Sequence, residues 1–164
     1  MNRRILVTGA FLLLGSVAAF ADGVKETVHV VITGGANAGT YDVSTDRGGC
    51  SAGFTGVGSW GNQLSQPKEK DPKKLNSLQL IVPDAKKAAN GTKEFFLMVG
   101  FGPLLQRAAE YTVETRAGQK RPMGSGTVTV MDHGTTGMVR FDVMTADKVH
   151  MVGSIDCKEV GRNQ

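Results

Sequence analysis

From Gly124 to Cys157 the chain alternates apolar and polar residues with a period of two, in three runs separated by turn residues. A helix buries residues three and four apart, so this spacing excludes helix and demands strands with one buried face. Thr127, Val128, Thr129 and Val130 open the first run, and Asp132 to Gly137 supply a turn. The second run sets Val139, Phe141 and Val143 on one face, with Arg140, Asp142 and Met144 on the other. After a turn at Ala146 to Lys148, the third sets Met151, Gly153, Ile155 and Cys157 on the face expected to be core, opposite Val152, Ser154 and Asp156. Three antiparallel strands joined by short turns are therefore expected here.

The two cysteines are Cys50 and Cys157. In an exported chain such a pair most simply forms one disulfide, here tying the early part of the chain to its last long strand. Closing a loop of roughly 100 residues adds at most about 5 kcal/mol in the chain-entropy account.

Export is read from the first residues. Asn2, Arg3 and Arg4 form a basic start, Ile5 to Phe20 is apolar, and Ala19, Phe20 and Ala21 give a small-x-small cleavage pattern. The apolar run is short for a membrane span, so residues 1–21 are read as a cleaved signal peptide and 22–164 as one β domain. The chain is then expected to be periplasmic or extracellular, without a transmembrane segment after cleavage. The 164 residues less 21 leave 143, enough for one core. Loss of Arg3 and Arg4 lowers the formal charge from +4 to +2, which gives no ground for nucleic-acid binding.

Other runs extend the pattern. Glu26–Thr33 places Val28, Val30 and Ile32 on one face. Strands are also expected at Thr40–Ser44, Cys50–Val57, Leu75–Val82, Phe95–Phe101 and Tyr111–Thr115, with a loop at Ala117–Gly124. Pro83–Asn90 and Leu104–Ala109 suit one or two helical turns, Pro83 marking a start and Gly91 an end. Phe95–Phe101 is apolar on both faces, as befits a central or covered strand. The expected fold is an all-β, single-domain antiparallel β-sandwich of about eight short strands, with an immunoglobulin-like sandwich or small barrel as variants.

Two stretches imitate catalytic motifs. Val30–Gly39, VVITGGANAG, resembles the glycine-rich turn of short-chain dehydrogenases, but Ala38 and Thr40 stand where that pattern has glycine. The following TYDVSTDRGG cannot make the helix that would hold a pyrophosphate, so a hairpin turn is expected instead. Gly49-Cys50-Ser51-Ala52-Gly53 matches a nucleophile elbow, yet no helical sequence follows and Ser51 adjoins a cysteine expected to be bridged. A small serine hydrolase built on Ser51 is thus the weakest of three functional readings.

The second reading is copper handling. Met131, His133, His150 and Met151 offer the thioether and imidazole ligands that suit Cu(I), although His150 and Met151 point oppositely within a strand. Core packing is the commoner use of methionine. The leading reading is a non-catalytic binding protein without a cofactor, whose partner is a protein, a glycan or an anionic envelope surface. Trp60, set among glycines, is either a stacking platform or core. Lys68, Lys70, Lys73 and Lys74 begin a lysine-rich segment running to Lys93 that is either a contact face or plain solvated surface. Asn90-Gly91-Thr92 is a glycosylation sequon.

Overall fold

The computed structural model describes residues 23–103, 105–119 and 123–162. The signal peptide expected at residues 1–21 lies outside them. The described residues form β1 (Glu26–Thr33), β2 (Gly39–Thr45), β3 (Gly48–Ala52), β4 (Trp60–Ser65), β5 (Leu75–Val82), α1 (Ala85–Ala88), β6 (Phe96–Phe101), β7 (Ala109–Glu114), β8 (Ser125–Asp132), β9 (Gly137–Met144), β10 (His150–Cys157) and β11 (Val160–Arg162). The all-β sandwich expected from the sequence is the fold observed.

One sheet runs β2-β1-β10-β9-β8 and the other β11-β3-β4-β5-β6-β7. Neighbours are antiparallel except β11, which lies parallel to β3. The alternation read from the sequence holds. Val28, Val30, Ile32, Val139, Phe141, Val143, Met151 and Ile155 are buried, and they pack against Leu78, Leu80, Leu97, Val99 and Phe101 of the second sheet. Gly153 faces inward opposite Phe141; a Cβ there would lie 2.4 Å from the His29 carbonyl oxygen and 2.5 Å from the Phe141 ring.

The strands of the two sheets cross steeply. The edge strand β2 lies beside the β4–β5 loop, with Thr40, Tyr41 and Ser44 sharing a cleft with Gln66 and Glu69. The opposite edge strand, β8, bonds Thr92 just beyond α1, through paired Val128–Thr92 backbone bonds of 2.8 and 2.9 Å. The width of the first sheet thus runs along the length of β5. Such packing turns the chain through corners where it passes from one sheet to the other. One corner is made twice over, by β2 leading into β3 and β10 into β11. Lys25 sits between these passages, donating its N–H to Thr45 O and accepting from Lys158 N, each at 2.8 Å.

The Cys50–Cys157 disulfide staples this corner, with Cα atoms 5.9 Å apart. At the far end, Tyr41 and Tyr111 meet the Phe101 ring edge-on.

Several sequence expectations need correction. The strand expected at Cys50–Val57 stops at Ala52, because Gly53, Gly56 and Gly58 adopt φ values of 79°, 142° and 83° that turn the chain. β4 was not expected. Its Gly61 has the Phe54 ring so close that a Cβ would lie 2.4 Å from it, and its Asn62 is buried. β11 is too short to leave a periodic signature. Of the expected helical turns, Pro83–Asn90 holds α1, capped by the Asp84 carboxylate accepting from Lys87 N at 3.0 Å. Leu104 is outside the described residues; beyond it, Gln106 N bonds Pro103 O in a turn. Val30–Gly39 makes the β1–β2 hairpin, with Gly34 and Gly35 at φ 85° and 74°.

Candidate ligand-binding face

The outward side chains of the five-stranded sheet are set by cross-strand register. One row reads Asp42, His29, Ser154, Arg140, Thr129 from β2 to β8; the next reads Thr40, Val31, Val152, Asp142, Thr127. Between and beside these rows lies an open groove of about 410 Å³, lined by His29, Val31, Thr127, Thr129, Arg140 and Val152 among others. Its floor is apolar: Val31 and Val152, adjacent across β1 and β10, are 38% and 40% exposed.

The charges on this face are arranged unequally. His29 Nδ1 donates to Asp42 Oδ1 at 2.7 Å, and His150 Nε2 donates to Asp142 Oδ1 at 2.6 Å. Each aspartate therefore has its own imidazole. Arg140, at the middle of the groove, has no hydrogen-bond or ion-pair partner among the described residues. On the other sheet Arg107 is held by Glu110 and Arg116 by Glu114, and Arg162 is held by Asp132. The Arg116 guanidinium beside Glu114 holds that carboxyl below its usual range. Arg140 instead keeps a free planar donor set flanked by the hydroxyls of Thr129 and Ser154, a geometry suited to an anionic group.

The row Ser154, His29, Asp42 has the residue types of a hydrolytic triad, and His29 uses Nδ1 for the aspartate as such triads do. No Ser154–His29 hydrogen bond is formed, however, and the Asp42 side chain is 76% exposed. The strand N–H groups around it are engaged in sheet pairing on both sides of β10, so no oxyanion cradle is offered there.

The residues singled out from sequence fall in scattered places. Trp60 is fully buried, so it is core rather than a platform. Ser51 lies within β3, not on an elbow, and its Oγ donates to Ala52 O at 3.4 Å. Met151 is buried in the core. Met131 and His150 both face outward but at opposite ends of the sheet, beside Met138 and Met144 respectively, and His133 stands in the β8–β9 turn. The four do not converge. Lys68, Lys70, Lys73 and Lys74 are exposed on the β4–β5 loop, where Glu69 accepts from Lys70 N and Asp71 N at 2.9 Å and lies 3.6 Å from Lys74 Nζ. Lys86, Lys87 and Lys93 lie at the other end of β5, roughly 24 Å away along eight strand residues. The lysine-rich segment therefore forms two poles, not one face.

The groove itself was missed in the sequence, though its signal was there. The alternation that buries Val139, Phe141 and Val143 turns Arg140 and Asp142 out, and the same period leaves Val31 and Val152 outside. Among the described residues, no helix is long and apolar enough to cross a membrane. No family model, no curated protein and no solved structure matches the chain.

Proposed function

We propose that this chain is an exported, disulfide-stapled β-sandwich that acts in the cell envelope or extracellular space by non-catalytic binding, and that its ligand is a small amphipathic anion held in the outer groove of the five-stranded sheet. The observation that carries this reading is Arg140, an arginine in an apolar-floored groove that is bonded to no carboxylate, the nearby Asp142 being engaged by His150. Val31 and Val152 would cover an apolar stretch of the ligand, and Arg140 with the Thr129 and Ser154 hydroxyls would take its acidic group. The disulfide and the signal-like first residues support export.

The test uses 1-anilinonaphthalene-8-sulfonate, which carries both features, with amide NMR shifts to map the site. Binding is expected to perturb Val31, Arg140 and Val152, and Arg140→Gln is expected to weaken it about tenfold, since a charged hydrogen bond contributes roughly 1.5–3 kcal/mol. Shifts confined to another face, or equal affinity in Arg140→Gln, would remove the groove from consideration.

A further inference from the structure

The inner side of the stapled corner holds a second polar cluster, independent of whatever occupies the groove. Glu26 stands directly across from Cys157 in the first sheet, and Asn62 directly across from Cys50 in the second. Two cross-strand pairs thus face each other, joined by the disulfide on one side and by an Asn62 Nδ2 to Glu26 Oε2 hydrogen bond on the other. Glu26, Asn62 and Cys157 are fully buried, and Cys50 nearly so. Cys50 Sγ lies 3.8 Å from Glu26 Oε2 and 3.9 Å from Asn62 Nδ2.

The remaining oxygens of the pair, Glu26 Oε1 and Asn62 Oδ1, are both buried without a hydrogen-bond partner. Two acceptors cannot satisfy each other. A proton on Oε1 changes that, because a carboxylic acid and a primary amide close a two-bond ring in which each donates once. The side chains facing Glu26 from the neighbouring strands are Thr45 on β2, Cys157 on β10, Cys50 on β3 and Asn62 on β4, and none is charged. Nothing there compensates an ionised carboxylate, whose burial without a counter-charge is costly.

We propose that Glu26 is the proton-bearing latch of the stapled corner: protonated, it closes on Asn62 and shields the Cys50–Cys157 bond, and ionised, it loosens the corner and admits a reductant. Burial pushes the Glu26 carboxyl up to about 7, with the Asn62 hydrogen bond pulling the other way. The latch is therefore shut in mildly acidic surroundings and released through neutrality. Opening leads to ordinary thiol–disulfide exchange. An external dithiol attacks one sulfur and then resolves the mixed disulfide. The Sγ–Sγ bond breaks, the dithiol is oxidised to its cyclic disulfide, and its two protons end on the Cys50 and Cys157 thiols. Cys50 lines an outer depression of about 280 Å³ with Gly48, Gly49 and Gly161, a route by which a small dithiol reaches the corner once it loosens.

The experiment measures reduction of the folded, oxidised protein by dithiothreitol from pH 6 to pH 8, in wild type and Glu26→Gln. The glutamine keeps a neutral ring with Asn62, and dividing one rate by the other removes the pH dependence of the reagent. A folded-state value of about 7 against 4.5 for the free carboxyl implies that the rate ratio, wild type over variant, rises about tenfold across this range. A flat ratio would overturn the latch. Wild-type protein carries an independent readout should the variant fold poorly. The carboxyl carbon of Glu26, followed by NMR, is expected to titrate with a midpoint near 7; a midpoint near 4.5 would equally overturn the proposal.

Discussion

The outer groove and the stapled corner hold the same kinds of group and treat them in opposite ways. Outside, Asp42 and Asp142 are 76% and 71% exposed, and each has an imidazole within 2.7 Å. Inside, Glu26 is wholly buried and has an uncharged amide as its partner. The outer carboxylates thus stand in solvent with an imidazole beside each. At the corner Glu26 is shut away from bulk solvent, and burial pushes its carboxyl up. The contrast shows that the environment of a carboxyl, more than the number of its neighbours, decides whether it acts as a charge or as a hydrogen-bond donor.

The largest effect expected from breaking this contrast comes from the staple itself. Replacing both Cys50 and Cys157 by alanine should cost about 4–5 kcal/mol in denaturant melts, because the bridge spans 107 residues. A loss under about 1 kcal/mol would mean that the corner holds without its covalent tie. Next comes Glu26. Its folded-state value lies above the free value of 4.5, so the stability tied to its proton is complete below about pH 4.5 and is lost as pH rises through about 7. Glu26→Gln should therefore match wild type near pH 4.5 and exceed it by about 3 kcal/mol at pH 8, read from melts at each pH. Parallel curves for the two proteins would place the carboxylate in contact with water.

Smaller effects separate the two faces of a single strand. Gly153→Ala pushes a methyl into the His29 carbonyl and the Phe141 ring, and should lower stability by about 1–3 kcal/mol. Its outward neighbour should behave otherwise: Val152→Thr is expected to change stability by less than about 0.5 kcal/mol while weakening the naphthalene sulfonate probe. If the two substitutions proved equally costly, the outer face would be less free than its exposure indicates.

The fold was legible wherever one face of a strand is apolar and the other polar. β1 and β5 match their expected ranges, the faces of β10 fall as expected, and the Cys50–Cys157 pairing follows from there being two cysteines. β4 was illegible because Gly61 and Asn62 look like turn residues, whereas one lies under a phenyl ring and the other completes a buried acid–amide pair. Glu26 illustrates a different limit. The period that buries Val28, Val30 and Ile32 also buries Glu26, but side-chain polarity argues the reverse, and only the position of Asn62 on a distant strand resolves the conflict. The outer groove was hidden because its members come from β1, β8, β9 and β10, and only register places them side by side. The parting of the lysines into two poles was hidden as well, since chain order carries no information about which end of the domain a loop occupies.

The position of β10 also has a consequence in time. It lies between β1 and β9, and its last residue closes the bridge to Cys50. A polypeptide that emerges progressively from synthesis or from a translocation pore has made β1, with only β2 beside it, more than 100 residues before its second partner exists. Neither the five-stranded sheet nor the corner can be assembled along the way. Until then Cys50 has no second cysteine within the chain to bridge to. Under the export proposed above, the bridge closes only after its second cysteine has crossed, which hands the last covalent step of maturation to an oxidant on the far side.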